Sequence, residues 1–166
     1  VAWVKFEGDV QEIFGLAVSR RGGGAGDLEG NYLLRPLREK DIPELAGVYR
    51  AVFASYPFPI HEEEYIKKTM AEHVAYFGIF RDSVLVSASS SEMDPEYANA
   101  EMTDFATLPD IRGKGFAVHL LRLMEHEMRK RCIKTAYTIA RSVSPGINIT
   151  FSKMDYEFGG TLVHNT

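Results

Sequence analysis

The chain holds a single cysteine, Cys132, so no internal disulfide can form, and a reducing cytoplasm is the expected setting. No apolar run approaches the ~18 residues of a membrane-crossing helix, and no secretory-leader layout opens the chain. Basic residues are not in excess. Lys and Arg number 19 against 23 Asp and Glu, for a net charge of −4. This argues against nucleic acid as the main partner, since a phosphate polymer favours a basic face. The five histidines, at 61, 73, 119, 126 and 164, lack ligand spacing; His119 and His126 are seven apart with no third ligand, so no metal is expected. There are no internal repeats.

What remains is an ordinary globular composition, 45% hydrophobic and 25% charged. A chain of 166 residues fits one domain with its own core. Residues 1–30 read as the tail of a preceding segment plus a tether. Val1–Phe6 has the look of a short strand, and Arg20–Gly26 is a flexible linker by composition. The domain proper is expected over residues 31–166. Strands are expected at 31–37, 74–80, 84–93, 100–108 and 134–140, with a closing hairpin or bent strand at 156–158 and 161–164. Helices are expected from Asp41 as N-cap, over 61–72, from Gly115 to about Arg131, and from Ser144 to about Met154. This order predicts an α/β fold, a mixed sheet with helices on both faces.

The chemistry concentrates in Glu101–Val118, which reads as a strand, a glycine-containing turn and a helix start. In the helix Ala117, Leu120, Leu121, Met124 and Met128 share one face. Its first turn offers unpaired backbone N–H groups beside small residues, a good seat for phosphate oxygens. The Walker pattern fails, because Gly113-Lys114 is followed by Gly115; the dinucleotide pattern fails, because Val118 stands at its third glycine. Arg112-x-x-Gly115-x-Ala117 instead resembles the Arg/Gln-x-x-Gly-x-Gly/Ala signature of the GNAT acetyltransferase superfamily.

That resemblance implies an acyl-CoA N-acyltransferase fold and acetyl-CoA as cosubstrate, with no metal. The turn Arg112, Gly113, Lys114, Gly115, Phe116 and Ala117 would wrap the pyrophosphate. Phe105, Ala106 and Thr107 would meet the pantetheine arm and thioester through their backbone. Asn148 would meet the pantetheine amides. GNAT folds close with a seventh strand, which this chain is expected to lack; Val1–Phe6 or a second subunit, in a homodimer, would then cover the open edge. The tyrosine acid common in the family is replaced by Phe151, which has no proton to give. Tyr137 and Tyr156 are the remaining candidates for that acid, each also a natural core residue.

An amine acceptor needs a base. Strand parity sets Asp104 with the apolar Ala100, Met102 and Ala106, which would raise its carboxyl pKa, and sets Glu101 opposite, with Thr103 and Phe105. A bulge would change that assignment. Glu101 and Asp104 jointly are the candidate base or ammonium ligand. A narrower resemblance rests on Asn31–Leu37, Ser55–Ile60, Ala100–Thr107, Thr135–Arg141, Asn148–Phe151 and Gly159–Val163. These strings are similar to those of β-lysine N-acetyltransferases, which implies acetylation of the ε-amine of β-lysine to give the compatible solute Nε-acetyl-β-lysine. Arg141 would then hold the substrate carboxylate, Glu92, Glu101 or Asp104 its second ammonium, and Tyr56 and Phe58 its aliphatic stem. A polyamine, an amino acid or a protein N-terminus is the alternative acceptor, and an acyl-CoA-binding module without catalysis is the alternative role.

Overall fold

A computed structural model describes residues 15–22, 28, 30–141 and 144–162. They fall into two compact units. Residues up to 140 belong to the larger unit, apart from 15–22, which join the residues from 141 onward in the smaller one.

The larger unit is built on five strands: β1 (Tyr32–Pro36), β2 (Val74–Arg81), β3 (Val84–Asp94), β4 (Asn99–Thr107) and β5 (Thr135–Tyr137). Their spatial order is the chain order. The first four pair antiparallel, and β4–β5 is parallel. β2 and β3 are buried almost throughout, as centre strands covered on both faces must be. Helices α1 (Ile42–Val52) and α2 (Glu63–Glu72) connect β1 to β2, and α3 (Phe116–Lys130) connects β4 to β5.

Alternation along the strands divides the contacts between two faces. On one face, Tyr76 of β2 meets Thr69 of α2 hydroxyl to hydroxyl at 2.8 Å. There Leu45, Val48 and Tyr49 of α1, Ile66 of α2, Val74, Phe80, Ala88 and Ala106 form one core cluster. On the other face, Ser89 of β3 donates to Met124 Sδ of α3 at 3.1 Å. Of the stripe expected from periodicity, Leu120, Leu121, Met124 and Met128 are buried and Ala117 is half-buried. Each such side chain contributes about 1.5–3 kcal/mol by leaving water.

Three expectations need correction. Asp41 stands at the N-cap of α1 as expected, but its carboxylate makes no capping bond there; it accepts instead from the Arg38 amide at 2.8 Å and from Arg35 Nη1 and Nη2 at 2.7 and 2.8 Å. The strand expected over 134–140 is only Thr135–Tyr137. In the smaller unit α4 (Pro145–Lys153) follows Ser144 as expected, but no strand follows at 156–158. There the Tyr156 amide turns back to the Phe151 carbonyl at 3.1 Å, and Asp155 has φ 62°. This helix-ending turn consumes the amide a strand would use. Residues 161–162 have no regular structure, and the rest of that expected strand, like Val1–Phe6 and most of the Gly-rich stretch, lies outside the described residues.

Candidate functional site

β4 leads through a single 3₁₀ turn, Pro109–Ile111, into the glycine turn and α3. Gly113 and Gly115 have φ 82° and 73°, the left-handed region where a side chain is strained. A Cβ at either would meet nothing within 4 Å, so the turn faces open space. From Gly113 to Ala117 no amide donates to another described residue, and the first turn of α3 carries no acid. Arg112 is steered by its Nε, which donates to the Thr107 carbonyl at 3.1 Å. Lys114 is exposed. The Phe116 ring turns inward, 5.0 Å from that of Tyr32 in an edge contact, leaving its amide to the turn. Free amides, a helix N-terminus and two cations fit a diphosphate.

Upstream, β4 is bulged. Ala106 pairs with Ala88 and Thr103 with Ser90, so Ser89 faces two residues, Asp104 and Phe105. Asp104 has φ 55°. The extra residue carries its side chain across the sheet, so it does not share a face with Met102. It shares one with Glu101 and Thr103, as Ser90 Oγ shows by donating to Asp104 Oδ2 at 2.5 Å. The Tyr56 hydroxyl, from the loop between α1 and α2, donates to Oδ1. The neighbours of this carboxylate are therefore hydroxyls rather than the apolar side chains that alternation predicts. Burial pushes its pKa up, the Ser90, Tyr56 and Thr103 hydroxyls hold it down, and Glu92 adds an upward push. Ser90 and Thr103 were not singled out from sequence; the serine run Ser87–Ser91 in an otherwise apolar strand was the available signal.

Glu101 lies on the same face, paired directly with Glu92 of β3 and Tyr137 of β5. Burial raises its pKa, the Ile139 amide opposes this, and Glu92 and Asp104 add to it. Glu92, Asp94 and Glu101 line an acidic cavity of about 350 Å³ with Met93, Pro95, Asn99 and Tyr137. β4 and β5 pair only from Asn99 to Glu101. Ala106 itself is buried, and the Thr107 hydroxyl meets Ser87 Oγ at 2.7 Å. Phe58 is 58% exposed.

In the smaller unit Asn148 lies on α4. Its Nδ2 donates to the carbonyls of Arg141 and Ser144 at 3.0 and 2.8 Å, which leaves Oδ1 for another donor. Arg141 is exposed. Phe151 is buried, its ring 4.8 Å from that of Tyr156. No helix among the described residues is long and apolar enough to cross a membrane.

A bulged strand running through a glycine turn into an amide-rich helix start is the frame of an acyltransferase, and residues 45–145 match the model of the acetyltransferase (GNAT) family. The chain belongs to that family. It is 43% identical over 138 residues to the β-lysine N(6)-acetyltransferase of Methanosarcina mazei and 44% identical over 139 residues to that of Methanococcus maripaludis. These alignments cover 83% and 84% of this chain and 51% of each relative, so the chain spans about half the length of the curated relatives it matches. Among solved structures, AAC(6')-Iy in complex with a CoA bisubstrate analogue shares the fold, with a TM-score of 0.71 at 12% identity over 82% of this chain and 98% of that one.

Proposed function

We propose that this protein is an acetyl-CoA-dependent N-acetyltransferase that acetylates the ε-amine of β-lysine. The observation that carries the reading is the continuity of the bulged strand, with Asp104 and Glu101 on one face, and the glycine turn that opens α3. The names of the relatives supply the acceptor, and the acidic cavity suits a substrate with two ammonium groups.

When bound, acetyl-CoA supplies the acetyl group as a thioester. The amides from Gly113 to Ala117, with Arg112 and Lys114, would hold its diphosphate. The backbone of Phe105–Thr107 would align the pantetheine arm, and an N–H there would take the charge developing on the carbonyl oxygen, a donor worth ~3 kcal/mol. Asp104 or Glu101 would accept the ammonium proton; both have pKa values raised by burial, which brings a carboxylate closer to useful basicity at neutral pH. No residue at position 151 can protonate the departing sulfur; a thiol pKa near 8.5 lets it leave as thiolate. Glu92 and Asp94 would hold the second ammonium, and Tyr56 and Phe58 the aliphatic stem.

The three carboxylates in the cavity favour a linear polyamine as the second reading. The test is release of free thiol from acetyl-CoA by the purified protein with β-lysine, α-lysine and spermidine. Turnover is expected to be fastest with β-lysine. Spermidine in first place would replace the acceptor, and coenzyme binding without thiol release from any amine would replace the reading with that of a binding module.

A further inference from the structure

The groups around Asp104 outnumber those a lone base requires. Its carboxylate is faced by Tyr49 of α1, Tyr56 of the α1–α2 loop, Tyr65 of α2, Tyr76 of β2, Glu92 of β3 and Glu101 on its own strand. Of these only Tyr56 donates a hydrogen bond to it, and Ser90 donates to the other oxygen. These donors, one on each oxygen, together with the Thr103 hydroxyl fix the carboxylate plane.

Tyr56 is itself held at both ends. Its ring lies 5.1 Å from that of Phe53, which lies 5.7 Å from that of Tyr49. The ring is thus anchored to α1 while the hydroxyl reaches β4, 48 residues away in sequence. Pro57 and Pro59 stiffen the loop that follows.

We infer that Tyr56 is a positioning residue: through Asp104 Oδ1 it fixes the carboxylate of the β4 bulge and ties the Ser55–Ile60 loop to that bulge, so the loop and the proton acceptor present themselves to the amine as one unit. This goes beyond contact with an aliphatic stem, and its kinetic readout rests on the acetyl-transfer reading above. A carboxylate has about four acceptor sites, and the Tyr56, Ser90 and Thr103 hydroxyls leave about one. That site takes the amine proton: an N–H bond breaks, its electron pair stays on nitrogen, and the proton joins an Asp104 oxygen.

The decisive variant is Tyr56→Phe, which keeps the ring stack and removes only the hydroxyl. Two readouts are taken on the full chain. The first is an NMR titration of the Asp104 carboxyl with ¹³C-labelled aspartate, assigned by loss of its signal in Asp104→Asn; it needs no substrate. Removing a donor to the charged form raises the carboxyl pKa, and an upward shift of about one pH unit is expected. The second is the pH profile of kcat/KM at saturating acetyl-CoA, whose ascending limb is expected to move upward with it, with kcat falling more than KM rises. A monofluorinated tyrosine at position 56 keeps ring and hydroxyl, and its more acidic phenol is expected to move both readouts the opposite way; it serves as the deciding variant if Tyr56→Phe fails to fold. An Asp104 titration unchanged in whichever variant folds would overturn the inference. Thiol release absent from the wild type would end the acetyl-transfer reading, while the carboxyl titration would still decide the role of Tyr56.

Discussion

Gly115→Ala is the sharpest test of the diphosphate seat, because its structural and functional costs separate. Gly115 has φ 73° and ψ 15°, and an added Cβ meets nothing within 4 Å. The cost to folding is therefore conformational alone, about 1–2 kcal/mol for a left-handed residue with a side chain. In a chain this long that lowers Tm by roughly 2–8 °C. The cost to binding is different in kind. The amides from Gly113 to Ala117 converge only while both glycines hold their positive φ, and relief of the strain at 115 turns amides away. A charge-assisted bond is worth about 1.5–3 kcal/mol, so losing one weakens coenzyme A binding roughly 10- to 100-fold. Calorimetric titration with coenzyme A and with pantetheine separates the effects, since only the first carries the diphosphate. Pantetheine affinity should be unchanged. If Tm falls as expected while coenzyme A affinity stays within about twofold, the turn does not hold phosphate and the placement of the coenzyme is wrong.

Two further predictions concern the frame. Arg35, which stacks 4.1 Å over the Phe80 ring, holds the Asp41 carboxyl below the usual range, and the Arg38 amide helps. The stabilisation is therefore present above the unfolded value near 3.8 and is lost as pH falls through the lower folded value. Asp41→Asn should cost about 2–3 kcal/mol in denaturant unfolding at pH 7, with the gap to wild type closing towards pH 2; a gap constant with pH would refute this. At Gly78 a Cβ would sit 2.5 Å from Leu85 Cδ1 and 2.6 Å from Leu37 Cδ2. Gly78→Ala should destabilise by about 1–3 kcal/mol through overpacking, and Leu37→Ala in the same chain should cost less than the sum of the two single changes. Strict additivity in a double-mutant cycle would show that the two groups do not compete for space.

The elements legible in the sequence are those whose pattern is set by local rules. α3 follows from its own periodicity, and four of the five residues of its expected stripe, Leu120, Leu121, Met124 and Met128, are buried, with Ala117 half-buried. β2 and β3 follow from a short turn, Asp82-Ser83, between two runs of β-formers, although neither turn residue is a glycine and both have positive φ. Errors arise where a longer-range partner outbids the local preference. Asp41 is a good cap by type, but Arg35 offers two charged donors six residues back. Tyr137–Ala140 has strand composition, but β4 pairs with it only as far as Glu101. Residues 156–158 have it too, and the turn that ends α4 claims the Tyr156 amide first.

The site shows the same division more sharply. The glycine turn is a local object, two positive-φ glycines ahead of a helix, and a string of six residues suffices to find it. The surroundings of the candidate base, Asp104, are not local. Strict alternation sets Asp104 beside Ala100 and Met102. One extra residue opposite Ser89 reverses it, and nothing in the strand announces the reversal, because aspartate tolerates a left-handed φ without glycine's signature. The trace that did exist lay on the neighbouring strand. Ser87, Ser89, Ser90 and Ser91 are fully buried, and each buried hydroxyl must find an acceptor. Ser89 and Ser91 settle for methionine sulfurs, and Ser87 for a carbonyl. Ser90 lies on the opposite face, where a carboxylate supplied by the bulge satisfies it. A serine run through the middle of a sheet is thus an argument about its neighbours: it says that the adjoining strand delivers an acceptor to a position where strict alternation would have left none.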